Sequence, residues 1–114
     1  MTATSEVDVL NRIKSELIGW PGVASGPHRF GGSEFRVNGK EMGHVHGAKF
    51  ADLPFPMNIR NRLIEAGQAS VHHVLPNSGW VTVPIKDEAD IMSLIGLFRM
   101  QYQRLTAPSS STAG

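Results

Sequence analysis

Ser33-Glu34-Phe35-Arg36-Val37-Asn38-Gly39-Lys40-Glu41-Met42-Gly43-His44-Val45-His46 is the stretch that decides the fold. At its centre, Asn38-Gly39 favours a type I′ turn, because both central positions of that turn take a positive φ. The flanking segments carry β-branched and aromatic residues, which are typical of strands. The stretch therefore predicts a hairpin of two antiparallel strands, residues 33–37 and 40–46.

The register of this hairpin predicts which way its side chains face. A two-residue turn places Phe35 opposite Met42, and alternate residues of a strand share a face. Phe35, Met42, His44 and His46 are therefore expected on one apolar face. In that arrangement both imidazoles lie on the covered side of the sheet, lining a pocket or the margin of the core.

Helices and strands are expected on both sides of the hairpin. Apolar residues at helical spacing predict a first helix over Glu6–Ile18 and a last helix that Asp87 caps. The other expected elements are a short strand at 28–30, an ordered loop at 51–56 that carries two prolines, a helix from 56 or 57 to 66, and a second hairpin of residues 70–75 and 80–85. Together they predict an α+β fold, with an antiparallel sheet of about five strands and three helices packed mainly on one face.

Length and composition limit both architecture and chemistry. A chain of 114 residues suits one domain; we expect it over residues 1–105, with a disordered tail at 106–114. The absence of cysteine excludes disulfides, thiolate metal sites and cysteine nucleophiles, and makes the cytoplasm the expected location. With a net charge of +1 and no long apolar run, neither nucleic acid nor membrane is an expected partner. The oligomeric state stays open.

Four of the five histidines lie in two short segments, His44 and His46 in the hairpin and His72-His73 further on. Three interpretations stay open: the imidazoles bind a metal ion, or they act with Asp52 as proton acceptors, or they satisfy buried backbone carbonyls and hold the loop from Asp52 to Pro56 against the sheet. Because cysteine is absent and no carboxylate is evident in the motif, we expect no bound metal. No glycine-rich nucleotide motif is present, so no cofactor is expected.

Gly43-His44-Val45-His46-Gly47, Ala51-Asp52-Leu53-Pro54-Phe55-Pro56, Glu65-Ala66-Gly67 and the segment 72–81 occur in this order. Together these motifs resemble the luciferase-domain family, and the similarity extends from about residue 22 to 102. The resemblance implies a compact α+β domain. It also implies oxidation of a hydroxylated pyrone by molecular oxygen without an added cofactor. Light emission is not expected, since the chain is short and has no N-terminal membrane segment.

Such chemistry requires a base that deprotonates an enol, and an apolar pocket that excludes water. The expected catalytic residues are His44, His46, His73 and Asp52. The expected ligand-pocket residues are Phe35, Met42, His72, Phe55 and Trp80. The hypothesis is a histidine-lined pocket that oxygenates, or otherwise acts on, an acidic enol or aromatic ligand. The alternative is a noncatalytic ligand-binding or protein-interaction module in which the histidines are structural.

Overall fold

The computed structural model describes residues 6–28 and 31–107. Its elements are α1 (Glu6–Ile18), β1 (Val23–Pro27), β2 (Ser33–Val37), β3 (Lys40–His46), β4 (Phe50–Pro54), α2 (Met57–Glu65), β5 (Ser70–Val71), β6 (Trp80–Pro84) and α3 (Glu88–Thr106). The strands of the described chain form one antiparallel sheet in the order β1-β2-β3-β4-β6-β5. The predicted α+β class is confirmed, with six strands in place of about five.

One expected element differs from the structure near the centre of the chain. Residues 51–56 were expected as a loop, but most of them belong to β4, which pairs with β3 on one side and with β6 on the other. The extended backbone that prolines favour is also the backbone of a strand. Pro54 is the last residue of β4, where its missing N–H removes no central ladder bond.

Other differences lie at the ends of elements. The strand expected at 28–30 is instead β1, five residues long and ending at Pro27, and residues 29 and 30 lie outside the described chain. The strand expected at 70–75 ends after Val71, because the His72 imidazole binds the next backbone amides and turns the chain away from the sheet. Thr106, expected as the first residue of the tail, belongs to α3; residues 108–114 lie outside the described chain.

The last helix and the sheet enclose the core. Asp87 caps α3 as expected, its Oδ1 accepting a hydrogen bond from the Asp90 amide at 3.0 Å. The Phe98 ring of α3 meets Phe35 of β2 edge to face, with centroids 5.6 Å apart. From α1, Ile13 is fully buried in the same cluster. No helix of the described chain is long and apolar enough to cross a membrane.

A bulge in β3 shifts by one residue the alternation of its side chains between the two faces of the sheet. The predicted turn is confirmed, with φ of 53° at Asn38 and 75° at Gly39, and the pairing beside it is the expected one. Beyond Arg36 the register shifts, so that Phe35 pairs with Gly43 and Met42 is the extra residue. His44 then pairs with Glu34 and shares its face of the sheet.

This bulge overturns the prediction that His44 and His46 share a face with Phe35 and Met42. The cause lies at Gly43, which is packed beneath α3. A side chain there would bring Cβ to 2.8 Å from the backbone oxygen of Asp52 and to 3.0 Å from the Phe98 ring. Only glycine fits this close approach. The histidines consequently lie on the face of the sheet away from α3.

Candidate functional site

A pocket of about 760 Å³ opens on this second face. It lies over β2, β3 and β4 and is bordered by the loop 72–79 that joins β5 to β6. Its floor is polar and carries imidazole and carboxylate groups. Its apolar lining residues, which we call the rim, are Pro27, Val74, Leu75 and Trp80. A concave site with an apolar wall and a few convergent polar groups is the usual form of a small-molecule site.

Asp52 is the centre of the polar floor and is only 1% exposed. It lies in the middle of β4, paired with His44 of β3 and with Thr82 of β6. Its Oδ1 accepts a hydrogen bond from the Thr82 hydroxyl at 2.7 Å. Four imidazole Nε2 atoms surround its Oδ2, those of His44 at 3.3 Å, His46 at 3.2 Å, His72 at 3.3 Å and His73 at 3.5 Å. We call these five residues the His–Asp cluster.

Two further contacts hold the ring of His44, one at its edge and one on its face. Its Nδ1 lies 2.7 Å from a carboxylate oxygen of Glu41, three residues earlier on the same strand. The His28 ring stacks on the His44 ring with centroids 3.9 Å apart. Because a carboxylate only accepts hydrogen bonds, Nδ1 of His44 is the donor, and the orientation of the ring is fixed.

His72 has a structural task in addition to its place in the cluster. Its Nδ1 accepts hydrogen bonds from the backbone amides of Val74 and Leu75, each at 3.0 Å. A ring nitrogen that accepts two hydrogen bonds carries no proton, so the proton is on Nε2, which donates to Asp52. His72 thus has a structural role, but a different one from that expected: it accepts from two amides of its own loop rather than satisfying buried carbonyls of the segment 52–56.

The charges of the cluster shift its pKa values. Burial lowers the pKa of His44, but hydrogen bonds to Asp52 and Glu41 outweigh burial and raise it to about 9. Burial raises the pKa of Asp52, yet hydrogen bonds from His44 and Thr82 hold it well below its usual range. The pKa of His46 is lowered by burial and by the neighbouring charge of His44. The cluster thus keeps an ionised carboxylate beneath the pocket.

Three residues expected to line the ligand pocket lie elsewhere. Phe35 and Met42 are fully buried and Phe55 is 5% exposed, all three in the core cluster. The register shift in β3 is the reason for Phe35 and Met42, because it separates their face from that of the histidines. Of the expected lining residues, His72 and Trp80 do border the pocket, as do the four residues expected to be catalytic.

The structure adds pocket residues that the sequence did not single out as part of a site. They are His28, Glu34, Arg36 and Glu41. In the regular hairpin register predicted from the sequence, Glu34, Arg36 and Glu41 alternate with Phe35 and Met42 and lie on the face opposite His44. A glycine inside a strand is a sequence signal for a bulge, and a bulge at Gly43 would have put those three residues beside His44. His28 follows the end of β1, and no local pattern marks it.

One comparison with known proteins gave a match. The family model described as Luciferase domain matches residues 39–101, which is more than half of the chain. The matched span begins in the hairpin turn and ends in α3, so that it includes the whole His–Asp cluster and Trp80. It does not include His28 or Arg36. No curated protein and no solved structure matches the chain significantly.

Proposed function

The chain belongs to the luciferase-domain family, and on this premise we propose that its pocket binds a small acidic enol or aromatic compound and adds molecular oxygen to it without an organic cofactor. The observation that carries the proposal is the convergence of four imidazoles on one carboxylate oxygen at the floor of an open pocket. Imidazole and carboxylate are the groups that exchange protons near neutral pH.

The shape and the lining of the pocket support a flat ligand with one acidic edge. Trp80 offers a ring for stacking, 5.4 Å from the His44 ring between centroids. Val74 and Leu75 are 67% and 48% exposed at the rim, where they are available to cover an apolar ring. The acidic hydroxyl of the ligand then points to the floor, towards His73.

His73 is our choice for the residue that takes the proton of the ligand. Its side chain is 51% exposed, the most of any histidine in the cluster. Its Nε2 faces Asp52 Oδ2 at 3.5 Å, which leaves Nδ1 as the nitrogen that accepts the proton of the ligand. Asp52 is a positioning residue in this scheme, because it selects the tautomer of His73 and does not touch the ligand.

The reaction balances without a further reductant. Transfer of the hydroxyl proton to His73 gives an enolate, whose electron-rich carbon donates an electron pair to O₂ and forms a carbon–oxygen bond. The resulting peroxide takes the proton back from His73, so that both oxygen atoms end in the product. The enol is oxidised and O₂ is reduced.

Oxygen uptake with a hydroxylated 2-pyrone tests the proposal. We expect uptake by the wild-type protein and a product heavier by two oxygen atoms. His73→Gln should lower the rate by roughly 100-fold or more, the usual contribution of a general base, and should leave pyrone affinity within a few-fold. Trp80→Phe should weaken pyrone binding, whereas Trp20→Phe, which changes the other tryptophan beside Tyr102, should not.

Two outcomes would contradict the proposal in different ways. Binding of the pyrone with no oxygen uptake would refute the oxygenation and favour the noncatalytic ligand-binding module. Unchanged uptake in His73→Gln would refute the role of His73. A His73→Gln protein that melts at the wild-type temperature is the required control, since it shows that the loop 72–79 keeps its place.

A further inference from the structure

We propose that His44, His46 and Asp52 bind a divalent first-row transition-metal ion at the floor of the pocket. This inference goes beyond the proposed reaction and does not depend on it. The three donor atoms lie within 4.8 Å of one another. His44 and His46 are two residues apart on β3, and Asp52 pairs with His44 from β4. All three side chains therefore project from the same face of rigid, adjacent strands.

The distance of Asp52 Oδ2 from each of the two imidazole nitrogens fits ligands of a common ion. Two ligands bonded at about 2.0–2.2 Å and separated by 90–110° lie roughly 2.8–3.6 Å apart. Asp52 Oδ2 is 3.3 Å from His44 Nε2 and 3.2 Å from His46 Nε2. The bond between His44 Nδ1 and Glu41, at 2.7 Å, is shorter and has the length of a charge-assisted hydrogen bond.

Glu41 completes an arrangement that is typical of metal-binding histidines. Such a histidine donates its other ring N–H to a carboxylate or carbonyl, which fixes the tautomer and makes the ligating nitrogen more basic. Glu41 accepts the Nδ1 proton of His44, so the ion replaces the second proton on Nε2. The carboxylate of Asp52 meanwhile balances part of the charge of the ion.

The neighbouring groups do not offer an equivalent set. Asp52, His72 and His73 are also close together, but Nδ1 of His72 is occupied by two backbone amides. Its Nε2 holds the proton and has no lone pair for an ion. His28, Glu41 and His44 form a further candidate set among the described residues. In that set Glu41 already accepts the hydrogen bond from His44. The protonation pattern thus selects His44, His46 and Asp52.

Two imidazoles and one carboxylate are donors that suit iron(II), manganese(II), cobalt(II) and zinc(II), and three protein ligands leave open positions. The side chain of His46 is 24% exposed, so that the ion is accessible from the pocket. The expectation from the sequence was the opposite, because no carboxylate was evident beside the histidine motif. Asp52 supplies that carboxylate from the next strand.

Titration of the chelator-treated full chain with Co²⁺, followed by calorimetry, tests the site. We expect one ion per chain. His44→Gln and Asp52→Asn should lower the affinity at least 100-fold, and Glu41→Gln should lower it about 10–100-fold, the usual effect of removing a partner of a ligand. His73→Gln is the matched control, because His73 lies near the same carboxylate but outside the set. The glutamine amide can still donate to Asp52, so this variant should bind Co²⁺ within a few-fold of wild type.

A second measurement locates the ion without any variant. The chain has two tryptophans, and Trp80 is next to His44 whereas Trp20 packs on Tyr102. In a ¹H–¹⁵N spectrum, one equivalent of paramagnetic Co²⁺ should shift or broaden the indole signal of Trp80 and leave that of Trp20. This readout also covers the case in which a ligand variant fails to fold.

The outcomes separate this site from the proposed reaction. Co²⁺ binding that is lost in His44→Gln and kept in His73→Gln supports the metal site, whether or not a pyrone consumes oxygen. No Co²⁺ binding, equal loss in His73→Gln, or an unaffected Trp80 signal would overturn the metal site. Oxygen uptake by protein that binds no Co²⁺ would overturn the metal site and leave the proposed reaction standing.

Discussion

The substitution Gly43→Ala tests the bulge that turns the histidines towards the pocket. An alanine Cβ at this position would lie 2.8 Å from the backbone oxygen of Asp52, 2.9 Å from Leu53 Cγ and 3.0 Å from Phe98 Cε1. The first of these atoms belongs to the central strand β4 and cannot move without disturbing the β3–β4 pairing. Phe98 is fully buried and packs against the ring of Phe35.

The cost follows from this crowding. Overpacking a well-packed core costs typically about 1–3 kcal/mol, and a rigid backbone atom among the contacts places Gly43→Ala in the upper part of that range. For a domain of this size, a loss of about 2–3 kcal/mol lowers the melting temperature by roughly 8–24 °C. Because the displaced backbone is that of Asp52, Co²⁺ affinity should fall as well.

Thermal unfolding followed by circular dichroism measures the effect, with Gly96→Ala as the matched control. A Cβ at Gly96 meets nothing within 4 Å, and the residue lies inside α3. The same change should there stabilise the helix by up to about 1 kcal/mol and raise the melting temperature by several degrees. Gly43→Ala melting within about 2 °C of wild type would refute the close approach beneath α3, and with it the reason for the bulge.

Further predictions concern the helix that covers the sheet, each checked by denaturant or thermal unfolding. Phe98→Ala should cost about 3–5 kcal/mol, because it empties a fully buried site; a loss below about 1 kcal/mol would contradict the packing. Gln101→Leu should cost about 1–3 kcal/mol, because buried Gln101 donates to the backbone oxygens of Met42 and Pro54, and an unchanged stability would mean that water satisfies those oxygens. Asp87→Ala should cost about 1 kcal/mol through loss of the helix cap, and no change would show that the cap does not stabilise α3.

The locally determined parts of the fold could be predicted from the sequence. Asn38-Gly39 specifies its turn through two positive φ values, and Asp87 caps α3 through its own side chain. The bounds of α1 follow from apolar spacing and agree with the structure. Each of these features depends on residues only a few positions apart, which is why a sequence pattern is sufficient.

The bulge depends on packing between distant parts of the chain. It arises where the Phe98 ring of α3 packs closely over Gly43 of β3. The hairpin sequence alone favours the regular register. A regular register sends His44 to the core face, so the pocket predicted from it included Phe35 and Met42. Prolines near residue 54 indicated a loop, although extended backbone at a strand end accommodates proline equally well.

The sequence was sufficient to predict the histidines and Asp52 of the candidate site, but not the groups that contact them. The concentration of histidines in two segments, and the position of Asp52 just after the hairpin, pointed to residues that the fold does bring together. Which nitrogen of each ring carries the proton could not be predicted. That property depends on Glu41 beside His44 and on two backbone amides beside His72.

The most direct test of a functional centre formed by His44, His46 and Asp52 is a long-range ¹H–¹⁵N NMR spectrum of the imidazole rings, recorded before and after one equivalent of Zn²⁺. We expect the Nε2 signals of His44 and His46 to move to the metal-bound position, while His72 keeps an unprotonated Nδ1 and a protonated Nε2. Imidazole signals that do not respond to Zn²⁺, or that respond at His72 and not at His44 and His46, would contradict the centre.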